Sequence, residues 1–209
     1  MASASLTNMS VAADGSPANQ GLLMPKLQYR FRVIFSNFGV DKASTVLTQQ
    51  VVDCSRPTVS FGEIILPVYN STLYLAGKAT WSAMSINLRD DAGGAVSKLV
   101  GQQLQKQMDF MEQASAATGQ DYKFQTNIQI LDGGNGTAAV GVLETWQLYG
   151  CFLVSANYNT LNYANNEAVT IALSIRYDNA ALTPDDKNVG GTFARQLGGG
   201  AIVSGVGAG

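Results

Sequence analysis

The stretch Val169–Asp178, VTIALSIRYD, alternates without a break. Val169, Ile171, Leu173, Ile175 and Tyr177 fall on one side, and Thr170, Ala172, Ser174 and Arg176 on the other. Period-two alternation specifies a half-buried β-strand. The bulky side is explained by burial, which stabilises by roughly 1.5–3 kcal/mol per side chain. The other side constrains the chain more. A strand facing open water usually carries Lys, Glu or Gln, whereas this one carries short, nearly uncharged groups. Such a face looks at something other than bulk solvent.

The rest of the chain reads as strands around one helix. LQYRFRVIF (Leu27–Phe35) alternates, and a second strand is expected over Thr45–Asp53, stopping before Pro57. Thr58–Gly77 is β-rich, but Gly62 and Pro67 interrupt it and its apolar residues settle on neither face; it reads as a long projecting hairpin or loop. Met84, Ile86 and Leu88 resume the alternation. Over Ala95–Gln113, Val96, Leu99, Val100, Leu104, Met108 and Met111 recur at helical spacing. Strands follow at Tyr122–Asp132 and Glu144–Tyr158, with Gly133–Gly136 (GGNG) as a turn. This order predicts a mainly β (α+β) fold, an antiparallel sandwich or barrel with one flanking α-helix.

Three regions are expected. Residues 1–24, rich in Ala, Ser, Asn and Gly, form a flexible arm; 25–180 form the β body; 181–209 form a glycine-rich arm. Gly190–Gly209 is too costly in backbone entropy to fold alone. Phe193, Leu197, Ile202 and Val203 nevertheless supply apolar anchors, so both arms read as segments that order on a partner.

Composition removes most catalytic chemistry. With no histidine, the His-based metal sites and the Ser-His-Asp and Cys-His pairs are absent. Cys54 and Cys151 lack CxxC spacing and read as two reduced core residues, although a disulfide between them stays open. Asp90-Asp91 and Asp185-Asp186 are neighbours, which a strand would point to opposite faces, so no paired acid/base site is implied. GGNGTAAVG lies between strands and has no Lys, unlike a phosphate-binding loop. Trp81, Trp146 and the tyrosines could line a sugar-binding face, but aromatics in a β-sandwich are usually core. The net charge of −2 does not suit a protein that grips phosphates. Only 13% of residues are charged, which weakens the repulsion that keeps proteins dispersed and favours self-association. The first Lys is Lys26 and no apolar run reaches the ~20 residues of a membrane span, so a soluble protein made in a cytoplasm is expected.

Taken in order, PKLQYRFRVIF, YLAGKATWSAMSINLRDD, the helix, TWQLYGCFLV, NYNTLNY and VTIALSIRYD resemble the tail tube proteins of contractile-tailed bacteriophages. The resemblance spans Pro25 to Asp178 and rests on Ala76, Gly77, Trp81 and Asp90, on Trp146 and Gly150, on Leu161–Tyr163, and on the closing Tyr177-Asp178. It implies a structural virion protein, not an enzyme, that needs no cofactor. Such subunits form six-fold rings whose inner sheets join into one barrel, stacked within a sheath as a conduit for the genome. The implied partners are other copies of the chain, the sheath, baseplate, terminator and tape measure proteins, and DNA, without membrane anchoring; the implied location is the virion tail. The alternatives are the tube of a phage-like injection or type VI secretion machine and, in a different class, a carbohydrate-binding sandwich. On the tube reading, Thr170, Ala172 and Ser174 are expected to line the channel, with the Ser85 and Asn87 face as rival. Ile64, Ile65, Leu66, Val68, Leu73 and Leu75 are expected to make contacts between rings.

Overall fold

A computed structural model describes residues 26–40, 44–132, 140–164, 166–184, 195–197 and 201–203. The chain divides into two units, Met1–Arg30 and Phe31–Gly209. In the first, Arg30 N–H closes a turn on Leu27 C=O, and the Arg30 guanidinium lies 5.5 Å from the Tyr29 ring centroid. The strand expected from Leu27 therefore starts later.

In the second unit the order is β1 (Phe31–Ser36), α1 (Ser44–Gln50), β2 (Val51–Cys54), β3 (Val59–Val68), β4 (Ser71–Trp81), β5 (Met84–Arg89) and α2 (Ala95–Gln107). There follow β6 (Met108–Asp109), β7 (Ala114–Ser115), α3 (Gly119–Tyr122), β8 (Phe124–Leu131), β9 (Val142–Asn157), β10 (Thr170–Arg176) and β11 (Asn179–Pro184). A short antiparallel pair, β12 (Arg195–Leu197) and β13 (Ala201–Val203), comes last. The fold is mainly β and antiparallel, as the alternation predicts.

The long strand β9 organises the body. Its first half pairs with β8 on one side and β11 on the other; its second half pairs with β10. The two sheets it joins are β1-β8-β9-β11 and β9-β10-β5-β2. Between them lie Val33, Phe35, Phe124, Ile128, Leu148 and Leu153 from one set of strands and Met84, Ile86, Leu88, Ile171, Leu173 and Ile175 from the other. Phe35, Phe38 and Phe124 pack as an aromatic trio with centroids 4.9–6.4 Å apart. α2 adds Val96, Leu99 and Val100 to the same core.

Two glutamines tie α2 to the segments packed around it. Fully buried Gln103 accepts from Gly39 N–H at 3.0 Å and donates to Tyr122 C=O at 2.7 Å. Gln107 donates to Leu153 C=O and accepts from Leu153 N–H, at 2.9 and 2.8 Å. Its carboxamide thus satisfies β9 as a neighbouring strand would.

Several expectations change. Ser44–Gln50 is helical, where a strand was expected from Thr45. Thr45, Val46 and Thr48 favour a strand locally, but packing of Val46 and Leu47 into the core overrides that weak preference. α2 ends at Gln107, not Gln113, because Met108 is extended at φ −153°, ψ 128°. Beyond it the Asp109 carboxylate accepts from the backbone N–H of Met111 and Glu112, a local turn that competes with helix. Those bonds, Glu112's first, hold the Asp109 carboxyl below its ordinary range. Met108 and Met111 are consequently exposed rather than core. β11 extends the sheet past Asp178. The GGNG turn, residues 1–24, Asp185-Asp186 and Phe193 lie outside the described residues. No described helix is long and apolar enough to cross a membrane.

Both cysteines are free thiols. Burial pushes the Cys151 thiol up to about 11. Burial, aided by the Asp53 charge, pushes Cys54 up to about 12. Each folded-state value exceeds the ordinary 9.0, so the native state holds these protons more tightly. Their contribution to stability is complete below about pH 9 and is lost as pH rises through 11 and 12. Urea midpoints are expected to fall across that window, and to fall less in a Cys151→Ala variant.

Candidate assembly surfaces

The outward face of the β9-β10-β5-β2 sheet is set by register. Ser174 stands opposite Ser155 on β9 and Ser85 on β5, and Ser55 Oγ accepts from Ser85 N–H at 2.8 Å. Four serines therefore cross the sheet in one row. In the next row Ala172 lies between Asn157 and Asn87, and Asn87 Nδ2 donates to both Asp53 carboxylate oxygens at 2.9 Å. A third row pairs Thr170 with Arg89, and Asn159 Nδ2 donates to Thr170 Oγ1 at 2.7 Å. Arg176, opposite Phe152, closes the far end.

The two rival faces of the sequence reading are thus a single face. Antiparallel partners project to the same side of a sheet, and Ala172–Asn87 and Ser174–Ser85 are partners. Ser155, Asn157, Asp53 and Ser55 belong to it too and were missed. Their alternation is hidden by irregularities, one between Val51 and Asp53 and one where Val154 bulges opposite the Ser174–Ile175 step.

The second surface is the β3–β4 hairpin. Every residue of β3 is exposed, as are all of β4 except Gly77 and Trp81. Ile64 pairs with Leu75, Leu66 with Leu73 and Val68 with Ser71, so five of the six expected contact residues share one face. Ile65 is on the opposite face, beside Tyr74. Pro67 sits within the strand, and Gly62 marks a bulge between Phe61 and Glu63. A Cβ on Gly77 would come 2.9 Å from Gly62 C=O, so only glycine lets the strands cross there. The root is held by the Trp81 and Tyr177 rings, 5.8 Å apart, and by Ser82 N–H on Thr58 C=O at 2.9 Å. The hairpin thus leaves a run of large apolar groups in water, the kind of patch that usually accompanies an interaction surface.

The remaining acidic candidates have local work. Asp91 Oδ1 accepts from Ala95 N–H at 2.8 Å and Asp90 accepts from the Ser97 hydroxyl, so the pair satisfies the start of α2. Among the described residues, no cluster of three or more Cys, Asp or Glu could hold a metal ion. Trp146 donates its ring N–H to Glu144 at 2.8 Å and packs against the core.

No protein-family model matches the sequence, and no curated protein matches it. Solved structures do. The cap of the anti-feeding prophage, described as a tube-terminating cap, superposes at TM-score 0.59 and 16% identity over 84% of this chain and 99% of its own. A chain of the sheath–tube complex of the extracellular contractile injection system PVC superposes at 0.56 and 13% identity, over 78% of this chain and 94% of its own. A chain of the PVC sheath/tube terminator gives 0.57 and 13%, over 78% and 99%. The chain has the fold of these contractile-particle components.

Excising Ile64–Thr72 is expected to leave a folded body, because the excised residues are exposed and pair only within the hairpin. Circular dichroism and a urea midpoint near the parent value check this; a loss of cooperative unfolding would assign the hairpin to the core.

Proposed function

We propose that the chain is a structural subunit of the inner tube of a contractile tail or injection particle, and that copies form six-fold rings stacked into a hollow cylinder. The observation that carries this reading is the fold shared with a tube-terminating cap, a chain of a sheath–tube complex and a chain of a sheath/tube terminator, over 94–99% of their lengths. The 13% share of charged residues and the apolar hairpin favour self-association independently. Ring closure would also remove the free edges of β2 and β1, which otherwise invite uncontrolled pairing.

In this tube the Ser155–Ser174–Ser85 row and the Asn157–Ala172–Asn87 row line the channel. Short hydroxyls and amides keep it wet, while a lysine-rich wall would bind phosphates by releasing counterions. The hairpin, through Ile64, Leu66, Val68, Leu73 and Leu75, meets neighbouring subunits and adjacent rings. A sheath surrounds the cylinder; baseplate, terminator and tape measure proteins set its ends and length. The cargo in the phage form is the genome. The fold relatives from extracellular injection systems favour, as a second reading, an injection particle with another cargo.

Negative-stain microscopy of the concentrated protein is expected to reveal rings and hollow tubes, whereas a monomer by light scattering at every concentration and salt tested would overturn the proposal. Thr170→Lys with Ser174→Lys would add about a dozen positive charges per ring, many within a Debye length of ~8–10 Å of passing phosphates. Tubes are expected to form, and DNA release from assembled particles to slow. Cysteines placed singly at these two positions should resist a reagent too large to enter the tube.

A further inference from the structure

The loop between β9 and β10 borders an open recess of about 530 Å³, lined by Tyr158, Asn159, Leu161, Tyr163, Glu167 and Val169. Its size falls within the range of clefts that take a ligand or a short peptide segment, roughly 300–1,000 Å³. Leu161 is 77% exposed and Tyr163 fully so. The recess lies at the Thr170 end of β10, where Asp90 N–H bonds Val169 C=O. The hairpin leaves the opposite end. Its root stacks on Tyr177, just past Arg176, and runs into β5 at Met84, the partner of Ile175. At its tip Tyr69 is completely exposed, held at φ 47°.

We infer that this recess receives the hairpin tip, Tyr69 foremost, of a second copy of the chain in the next ring. The inference rests on the stacked-ring reading and gives it a receptor. The seven residues of β10 place the hairpin root and the receptor about 20 Å apart, at opposite ends of one sheet. The ten-residue β3 gives the hairpin a reach of about 33 Å. All of β3 is exposed, so the hairpin is not packed against its own body. A projection at one end and a matching recess at the other define a heterologous, head-to-tail contact, which propagates along an axis instead of closing on itself. The chemistry matches. A tyrosine has an apolar ring for the Tyr158, Leu161 and Tyr163 walls and a hydroxyl for the neighbouring amide and carboxylate groups.

The test is disulfide trapping in assembled tubes. Tyr69→Cys and Leu161→Cys are introduced together, and tubes are exposed to a mild oxidant and run without reductant. The expected result is a ladder of linked chains, absent when either substitution is made alone. Should the paired variant grow tubes poorly, doping it at about one part in ten into the single Leu161→Cys variant gives covalent dimers. Tyr69→Ala is expected to raise the concentration needed for tube growth at least ten-fold, as for an aromatic hot spot, with rings intact. Tubes that form without cross-links, or with an unchanged growth threshold for Tyr69→Ala, overturn the receptor assignment alone. Absence of rings and tubes from the parent protein overturns the reading beneath it.

Discussion

The structure depends on one bend. β9 belongs to two sheets because it turns at Gly150, where φ is +65° and a Cβ would press against the Asp178 carboxylate. That carboxylate is held by Lys123 Nζ at 2.6 Å, and Asp178 N–H bonds Tyr149 C=O at 3.0 Å. Lys123 introduces β8, and Asp178 separates β10 from β11. The start of one sheet, the end of the other and the strand common to both are thus fastened at one point. From there the core, the polar face and the hairpin root take their directions.

Each face of the β10 sheet has its own energetic logic. The inner face is dense with Ile, Leu and Met, and its burial drives folding. The outer face contributes little to folding, so its residues are free to suit another purpose, and between the Arg89 and Arg176 ends they are short. The hairpin reverses the usual arrangement by placing large apolar groups where they stabilise nothing within the subunit. Groups idle in the monomer and costly in water are accounted for by a surface completed only on association.

What was legible in the sequence follows from the range of each signal. Strict alternation in β10 and β5 is local, so both strands and their buried faces were readable from residue order. That Ala172 and Asn87 are neighbours is a fact of register, which no local pattern contains. The bulge at Val154 broke the alternation that would have revealed Ser155 and Asn157. Helix α1 was misread because β-branched Thr45, Val46 and Thr48 favour a strand, and only contacts with distant core residues decide otherwise. The end of α2 was written in Asp109, whose short carboxylate favours a turn, but the methionine spacing concealed it. The recess beside Tyr158 and Tyr163 is made by loop geometry and had no pattern at all, beyond the presence of tyrosines in a polar segment.

Were the polar face the wall of the proposed channel, its charges would let that channel be wet without holding a polyanion. Arg176, Asp53 and Arg89 occupy different rows, and each two-residue step along a strand is about 6.6 Å. Asp53 is thus one step from the Arg89 row and two from Arg176. At physiological ionic strength the Debye length is about 8 Å, comparable to that spacing. In the proposed ring the Asp53 band would offset the Arg89 band one step away, while the Arg176 band, three steps or about 20 Å from Arg89, stands too far off to act with it as one girdle. A passing polyanion would meet no basic girdle wide enough to exchange several counterions at once, and retention grows with the number of phosphates neutralised. Low adhesion would then come from the order of the charges as much as from their scarcity. A wall with the same residues but Asp53 moved away from the arginine rows would have the same net charge and a stronger grip.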